Sequence, residues 1–340
     1  MMHRYRSPLL SRSACALLLA CGCSSQSQPR TASEPAQGAR ADTQGEQANT
    51  PPKPAPQEHI CPCKLQPQAA QNIPHRCTNS RDDSCMVYPT PLAALGRVLS
   101  ESPRVLGVGE THALAAHGNV KSTTARFRDE LLPQLKQYRA MILETLIPAQ
   151  GCNETQATVR EQTREVTESQ AKANPNEFLQ LASRAKDLGI TPYPLRLTCE
   201  ELKSIADAKD QGVEQSLRLI ASKTVERTQS LLAEQQAPVL TYGGAMHNDL
   251  FPTAQRQAWS FGHQISSLDA PASGVNYVEL DLITREFIAD RAPWTELPWY
   301  PTYLNSCAEP GTLLIQQGTH SFVLIFPWQT ADHPPCPISS

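Results

Sequence analysis

The chain has 340 residues, with 30 Lys and Arg against 33 Asp and Glu and a formal net charge of −3. It is long enough for a sizeable core and lacks the basic balance of a nucleic-acid binder. Its 29 prolines outnumber its 16 glycines, and 11 of the prolines fall between Pro29 and Pro91 amid repeated Gln, Ser and Ala. Such a composition cannot offset the entropy of ordering, so residues 21–90 read as a disordered tether that carries a cysteine cluster.

Ahead of the tether, Arg4, Arg6 and Arg12 precede a short apolar stretch that ends in Leu18-Leu19-Ala20-Cys21. The stretch is too short to cross a bilayer as a mature helix. It resembles a bacterial lipoprotein lipobox, with residues 1–20 as signal peptide and Cys21 as the acylated first residue. Cys23 is a second possible acceptor, and an ordinary signal peptide is the plainer alternative. The resemblance implies a lipid-anchored protein of the bacterial cell envelope, at the outer membrane, whose membrane contact is the lipid alone. Setting aside Cys15 and Cys21 leaves nine of the 11 cysteines. In an oxidising compartment they are better read as disulfides than as zinc ligands, with at least one unpaired within the chain.

From residue 90 the texture changes. Leu92, Leu95 and Leu99 recur at helical spacing, and residues 104–108 form a short apolar run. Residues 121–138 place Phe127, Leu131, Leu135 and Tyr138 on one helical face. A second run follows at 140–143, a long polar helical region at 154–188, a third run at 190–195, a helix at 213–236 and a fourth run at 238–242. This alternation predicts an α/β fold over residues 91–330: a mostly parallel central sheet flanked by helices. Residues 277–283, 312–315 and 321–326 are added C-terminal strands that could extend the sheet antiparallel, and 331–340 form a tail. Loops at one edge of such a sheet would bring Cys152 to Cys199. Cys307 is expected to pair with Cys336, and Cys61, Cys63, Cys77 and Cys85 among themselves.

The chemistry lies where these strands end. The first runs into Gly109-Glu110-Thr111-His112, the second into Glu144, the third into Arg196 and the fourth into Gly243-Gly244-Ala245-Met246-His247. Residues just past the carboxyl ends of parallel strands converge on one crevice. Histidines with carboxylates can hold a divalent transition metal, and an arginine beside them can hold an oxyanion. Each also has a plainer reading: Gly109 as turn chemistry, Arg196 as a charge partner for Glu144. His117 reads as a solvated residue or a contact behind the site, and His320 as a strand residue. Dinucleotide, serine-elbow, His-Glu-x-x-His and phosphate-loop patterns are all incomplete or missing.

These four stretches resemble the superfamily that joins the ChaN-type haem-binding lipoproteins, the Tiki and TraB proteins and the erythromycin esterases. The resemblance spans roughly residues 95–325. It implies His112 and His247 as metal ligands or catalytic histidines, Glu110 as base or ligand, Glu144 as ligand, and Arg196 as an oxyanion or substrate contact. Two functions follow as expectations. In the first, a metal held by Glu110, His112, Glu144 and His247 serves hydrolysis of an ester or amide in a small molecule or peptide, with Glu110, His112 and Arg196 catalytic. In the second, His112 and His247 line a cleft that binds haem or iron and break no bond.

Overall fold

The computed structural model describes residues 73–78, 84–118, 120–168, 170–268 and 276–329. The expected leader, the cysteine expected to carry lipid, Cys21, and Cys23, Cys61, Cys63 and Cys336 lie outside them. Nine strands form one sheet among the described residues: β1 (His75–Arg76), β2 (Cys85–Tyr88), β3 (Val105–Glu110), β4 (Ala140–Pro148), β5 (Thr191–Leu197), β6 (Val239–Gly244), β7 (Tyr277–Ile283), β8 (Thr312–Gly318) and β9 (Ser321–Ile325). Their order is β1-β2-β8-β9-β7-β3-β6-β4-β5. The expected α/β architecture is therefore present, with the first four apolar runs as parallel strands β3, β4, β5 and β6.

Among the described residues nine α-helices flank the sheet: α1 (Pro91–Leu99), α2 (Thr123–Arg126), α3 (Asn153–Thr167), α4 (Asn174–Asp187), α5 (Cys199–Asp207), α6 (Gly212–Glu234), α7 (Ala245–Asn248), α8 (Phe261–Ser267) and α9 (Tyr300–Ser306). Strand alternation divides the core between the two faces. Leu106, Val108, Met141, Leu143, Leu240 and Tyr242 project to one face and pack with Leu95, Phe127 and Phe178 from α1, the segment after α2, and α4. Ala140, Ile142 and Val239 project to the other, against Val159, Leu202 and Ile220 of α3, α5 and α6. Local signals set several helix starts. Thr90 accepts a hydrogen bond from the Ala93 amide with Pro91 in the first turn, and Thr198 with Glu201 forms a capping box on α5.

Several expectations are corrected. The helix expected over 121–138 is α2 followed by a wide turn (Phe127–Leu131) and a tight one (Leu132–Gln134), because Pro133 has no N–H to continue the ladder. Phe127, Leu131 and Leu135 are buried as their spacing required. The polar region at 154–188 splits into α3 and α4. Between them the Ala171 amide donates to Ala113 O and Gln170 bridges to Leu114, which draws the chain off the helical path before Pro175. Among the added strands only β8 is antiparallel; β7 lies parallel to β3, and β9 parallel to β7. The sheet also begins earlier than residue 90. β2 pairs with β8 and buries Cys85 and Val87 in an apolar patch with Tyr300 and Tyr303 of α9, a gain the tether composition concealed.

Candidate functional site

The carboxyl ends of β3, β6 and β4 stop side by side. Glu110 is in register with Gly244, and Leu143 with Tyr242, which sets Glu144 level with Gly243. Alternation then sends the two carboxylates to opposite faces: Glu110 follows Leu106 and Val108, whereas Glu144 follows Ile142. Both are buried. Each meets a histidine from the next turn of chain, so two carboxylate–imidazole pairs approach the sheet edge from its two sides.

In the first pair, Glu110 Oε1 meets His112 Nδ1, and Glu110 Oε2 accepts from Thr124 Oγ1 of α2 at 3.0 Å. The carboxylate holds the Nδ1 side of the ring, and Nε2 faces Gly244. In the second pair, Glu144 Oε2 accepts from the Gly244 amide at 2.8 Å, and Oε1 lies 3.8 Å from His247 Nε2. His247 is 3% exposed, and its Nδ1 has no hydrogen-bond partner among the described residues. A Cβ placed on Gly244 would lie 3.3 Å from His247 Cδ2, 3.7 Å from His112 Nε2 and 3.9 Å from Glu144 Oε2. Three of the expected site residues thus surround one point, and Glu110 stands directly behind His112. Gly243 makes room for Glu144, since a Cβ there would fall 2.9 Å from Glu144 Cβ.

Tyr242 forms the floor. It is buried between Phe127 and Phe178, with ring centroids at 4.9 and 5.6 Å. Burial, and then the charge of Glu110, push its hydroxyl well above the usual tyrosine range. Sequence reading missed Thr124, Tyr242 and the part played by Gly243. The signal available was the pair of glycines ending an apolar strand, which marks a close approach by another group.

The other expected residues lie elsewhere. Arg196 on edge strand β5 is exposed and level with Ile147, three residues beyond Glu144, and no contact brings it to the pairs. His117 is stacked on Phe287 at 3.9 Å, and its Nδ1 accepts from the Leu114 amide at 2.9 Å; burial lowers its pKa. His320 is a turn residue and not a strand residue, with φ of 63° between β8 and β9. Its Nδ1 lies 3.3 Å from Glu101.

The metal site expected from Glu110, His112, Glu144 and His247 does not fit this arrangement. Among the described residues no three His, Cys, Asp or Glu side chains are disposed to hold one metal ion. The reason is local: Glu110 and Glu144 leave opposite faces of the sheet, and the His247 atom nearest the point beside Gly244 is Cδ2 and not a ring nitrogen. Haem asks for less, since a single imidazole could hold its iron. His112 is a half-buried imidazole with its Nδ1 against a carboxylate, and its Nε2 faces the point where a Cβ on Gly244 would lie.

Two disulfides are present among the described residues, Cys152–Cys199 and Cys77–Cys85, with Cα–Cα distances of 5.5 and 5.4 Å. The first is the pair expected from strand order. Cys307 is also disulfide-bonded. No described helix is long and apolar enough to cross a membrane.

No family model matches the chain, and no curated protein matches it. Two solved structures resemble it distantly. One is ChaN of Campylobacter jejuni, described as binding haem cofacially, with 13% identity and a TM-score of 0.31; the match covers 55% of this chain and 85% of that one. The other is a Bacillus cereus protein, with 10% identity and a TM-score of 0.31, covering 72% of this chain and 88% of that one. Likenesses this low carry neither a family nor a function across.

Proposed function

We propose that the protein is a haem-binding protein whose ligand would sit at the carboxyl edge of β3 and β6, with His112 as the residue that would hold it. The observation that carries this reading is the Glu110–His112 pair facing Gly244. A carboxylate on Nδ1 fixes the ring orientation and makes Nε2 a better donor to a metal centre. Haem, when bound, would supply an iron centre that an imidazole can hold. Glu110 holds the imidazole, Thr124 holds Glu110, and the missing side chain at Gly244 leaves Nε2 of His112 uncovered on that side. His247, held near Glu144 with its second nitrogen unpartnered, is the residue that closes the opposite side. The superfamily that the four sequence stretches resemble includes haem-binding lipoproteins, which points the same way. Acylation at Cys21 would place the protein at the outer membrane, with the domain carried on the tether.

The test is a haemin titration of the purified protein followed by absorbance. A saturable Soret shift is expected. It should be lost in His112→Ala, weakened at least tenfold in His247→Ala, and unchanged in His320→Ala, whose ring belongs to a turn elsewhere. A Soret shift of equal size in His112→Ala would overturn the reading. Ester or amide hydrolysis by the haem-free protein, abolished by Glu110→Gln, would replace it with the hydrolase alternative.

A further inference from the structure

After β6 the chain does not continue away from the sheet. It turns through α7 and doubles back along the sheet face carried by β3 and β7, so that His247 is the outer end of a strap over residues 245–250. The strap is fastened by polar contacts. Asn248 Nδ2 donates to Gly107 O and to Asp281 Oδ1, both at 3.1 Å. Tyr277 donates its hydroxyl to Asn248 Oδ1 at 2.5 Å, and the Leu250 amide donates to Glu279 Oε2 at 3.1 Å. The sheet is hollowed to receive it: a Cβ on Gly109 would stand 2.7 Å from Ala245 Cα.

Glu279 and Asp281 occupy alternate positions of β7, so both side chains project to the strap face, at 1% and 7% exposure. No lysine or arginine contacts either among the described residues. Two buried carboxyls this close cannot both ionise cheaply without a cation. The other titratable groups on this face are Tyr277 on the same strand and Asp249 on the strap. The neighbouring cationic groups, Arg256 in the loop beyond and His263 of α8, act on Asp249.

We infer that Asp281 and Glu279 are positioning residues for His247: two buried carboxyls on one face of β7 that hold the strap to the sheet while protonated and loosen it on ionising. Burial, reinforced by Asp249, outweighs the hydrogen bond from Asn248 and pushes Asp281 up to about 8. Burial and the charge of Asp281 push Glu279 well above the carboxylate range. When the pH rises the proton leaves to solvent, two negative charges face each other under Asn248 and Leu250, and the strap with His247 gains freedom. The consequence for ligand binding rests on the function proposed above; the clamp itself does not.

Amide hydrogen exchange on the haem-free full chain, corrected for intrinsic rates and taken from pH 5 to 9, separates the two. Protection of the strap amides, Leu250 above all, should fall by up to about tenfold per pH unit between pH 5 and 8 and level off above. Amides in the middle of α6, which open only with the whole domain, should stay better protected than the strap at every pH. Asp281→Asn, which imitates the protonated acid and keeps an acceptor for Asn248, should reduce the slope, and the Asp281→Asn/Glu279→Gln double variant should abolish it. Strap protection that is flat with pH in the wild-type protein, or that falls as steeply in the double variant, would overturn the clamp. That result would leave a His112-dependent Soret shift untouched, just as a failed haem titration would leave a pH-dependent strap standing.

Discussion

Gly243→Ala is the substitution that most directly interrogates the geometry at the strand ends. The new Cβ would fall 2.9 Å from Glu144 Cβ and overlap the carboxylate. Glu144 Cβ is fixed by β4, so the side chain cannot simply swing its far end aside. Forcing a methyl into filled space costs about 1–3 kcal/mol. Losing the bond from the Gly244 amide to a charged acceptor adds about 1.5–3 kcal/mol, and replacing glycine within a strand returns about 0.5–1 kcal/mol. The net expectation is a loss of about 2–5 kcal/mol. Gly96→Ala is the internal control. That glycine lies on the exposed side of α1 with nothing within 4 Å of a Cβ, so alanine should stabilise the protein by about 0.5–1 kcal/mol. Gly244→Ala distinguishes site from fold: its Cβ would sit at 3.3 Å or more from its neighbours. It should therefore cost under about 1 kcal/mol while filling the space beside His112 Nε2 and weakening haem binding. Urea denaturation of the three variants, with a haemin titration on each, is the assay. Gly243→Ala as stable as wild type, with its Soret shift intact, would mean that Glu144 does not pack against Gly243.

Two further outcomes follow from the fold. The Cys152–Cys199 bridge joins positions 47 apart in sequence and Cys77–Cys85 positions 8 apart. On chain-entropy grounds, replacing the first pair by serines should cost about 4 kcal/mol and the second about 2.5; equal losses in denaturant melts would show that loop closure is not the dominant effect. Asp281 gives the sign of the pH dependence. Its native pKa of about 8 stands above the ordinary 3.8, so the native state binds the extra proton between those values. Stability should fall as pH rises from about 4 to about 8, by up to about 1.4 kcal/mol per unit, and be flat above. Asp281→Asn should flatten the curve measured by urea unfolding at each pH, and a wild-type stability that climbs from pH 5 to 8 relative to that variant would contradict the assignment.

The parallel core was legible because its signals are local. Short apolar runs ending at glycine or glutamate, separated by amphipathic stretches of helical period, have few solutions other than β3, β4, β5 and β6 with helices on both faces. Cys152 and Cys199 could be paired in advance for the same reason, since a shared sheet edge follows from strand direction alone. So could the meeting of Glu110, His112, Glu144 and His247. What sequence could not give was whether four such residues make one ligand set or two closed pairs. That depends on which face each carboxylate leaves from and on which amide or hydroxyl reaches it first, at a precision of about an ångström that no spacing rule carries. Arg196 illustrates the same limit, since ending on a parallel strand told nothing of its side chain's exposure at the sheet edge. The strap was invisible for a different reason. Glu279 and Asp281 read as the polar half of an alternating strand, and only the return of residues 245–250 across Gly107 and Gly109 buries them. Long-range burial, not local pattern, turned two ordinary carboxylates into a clamp.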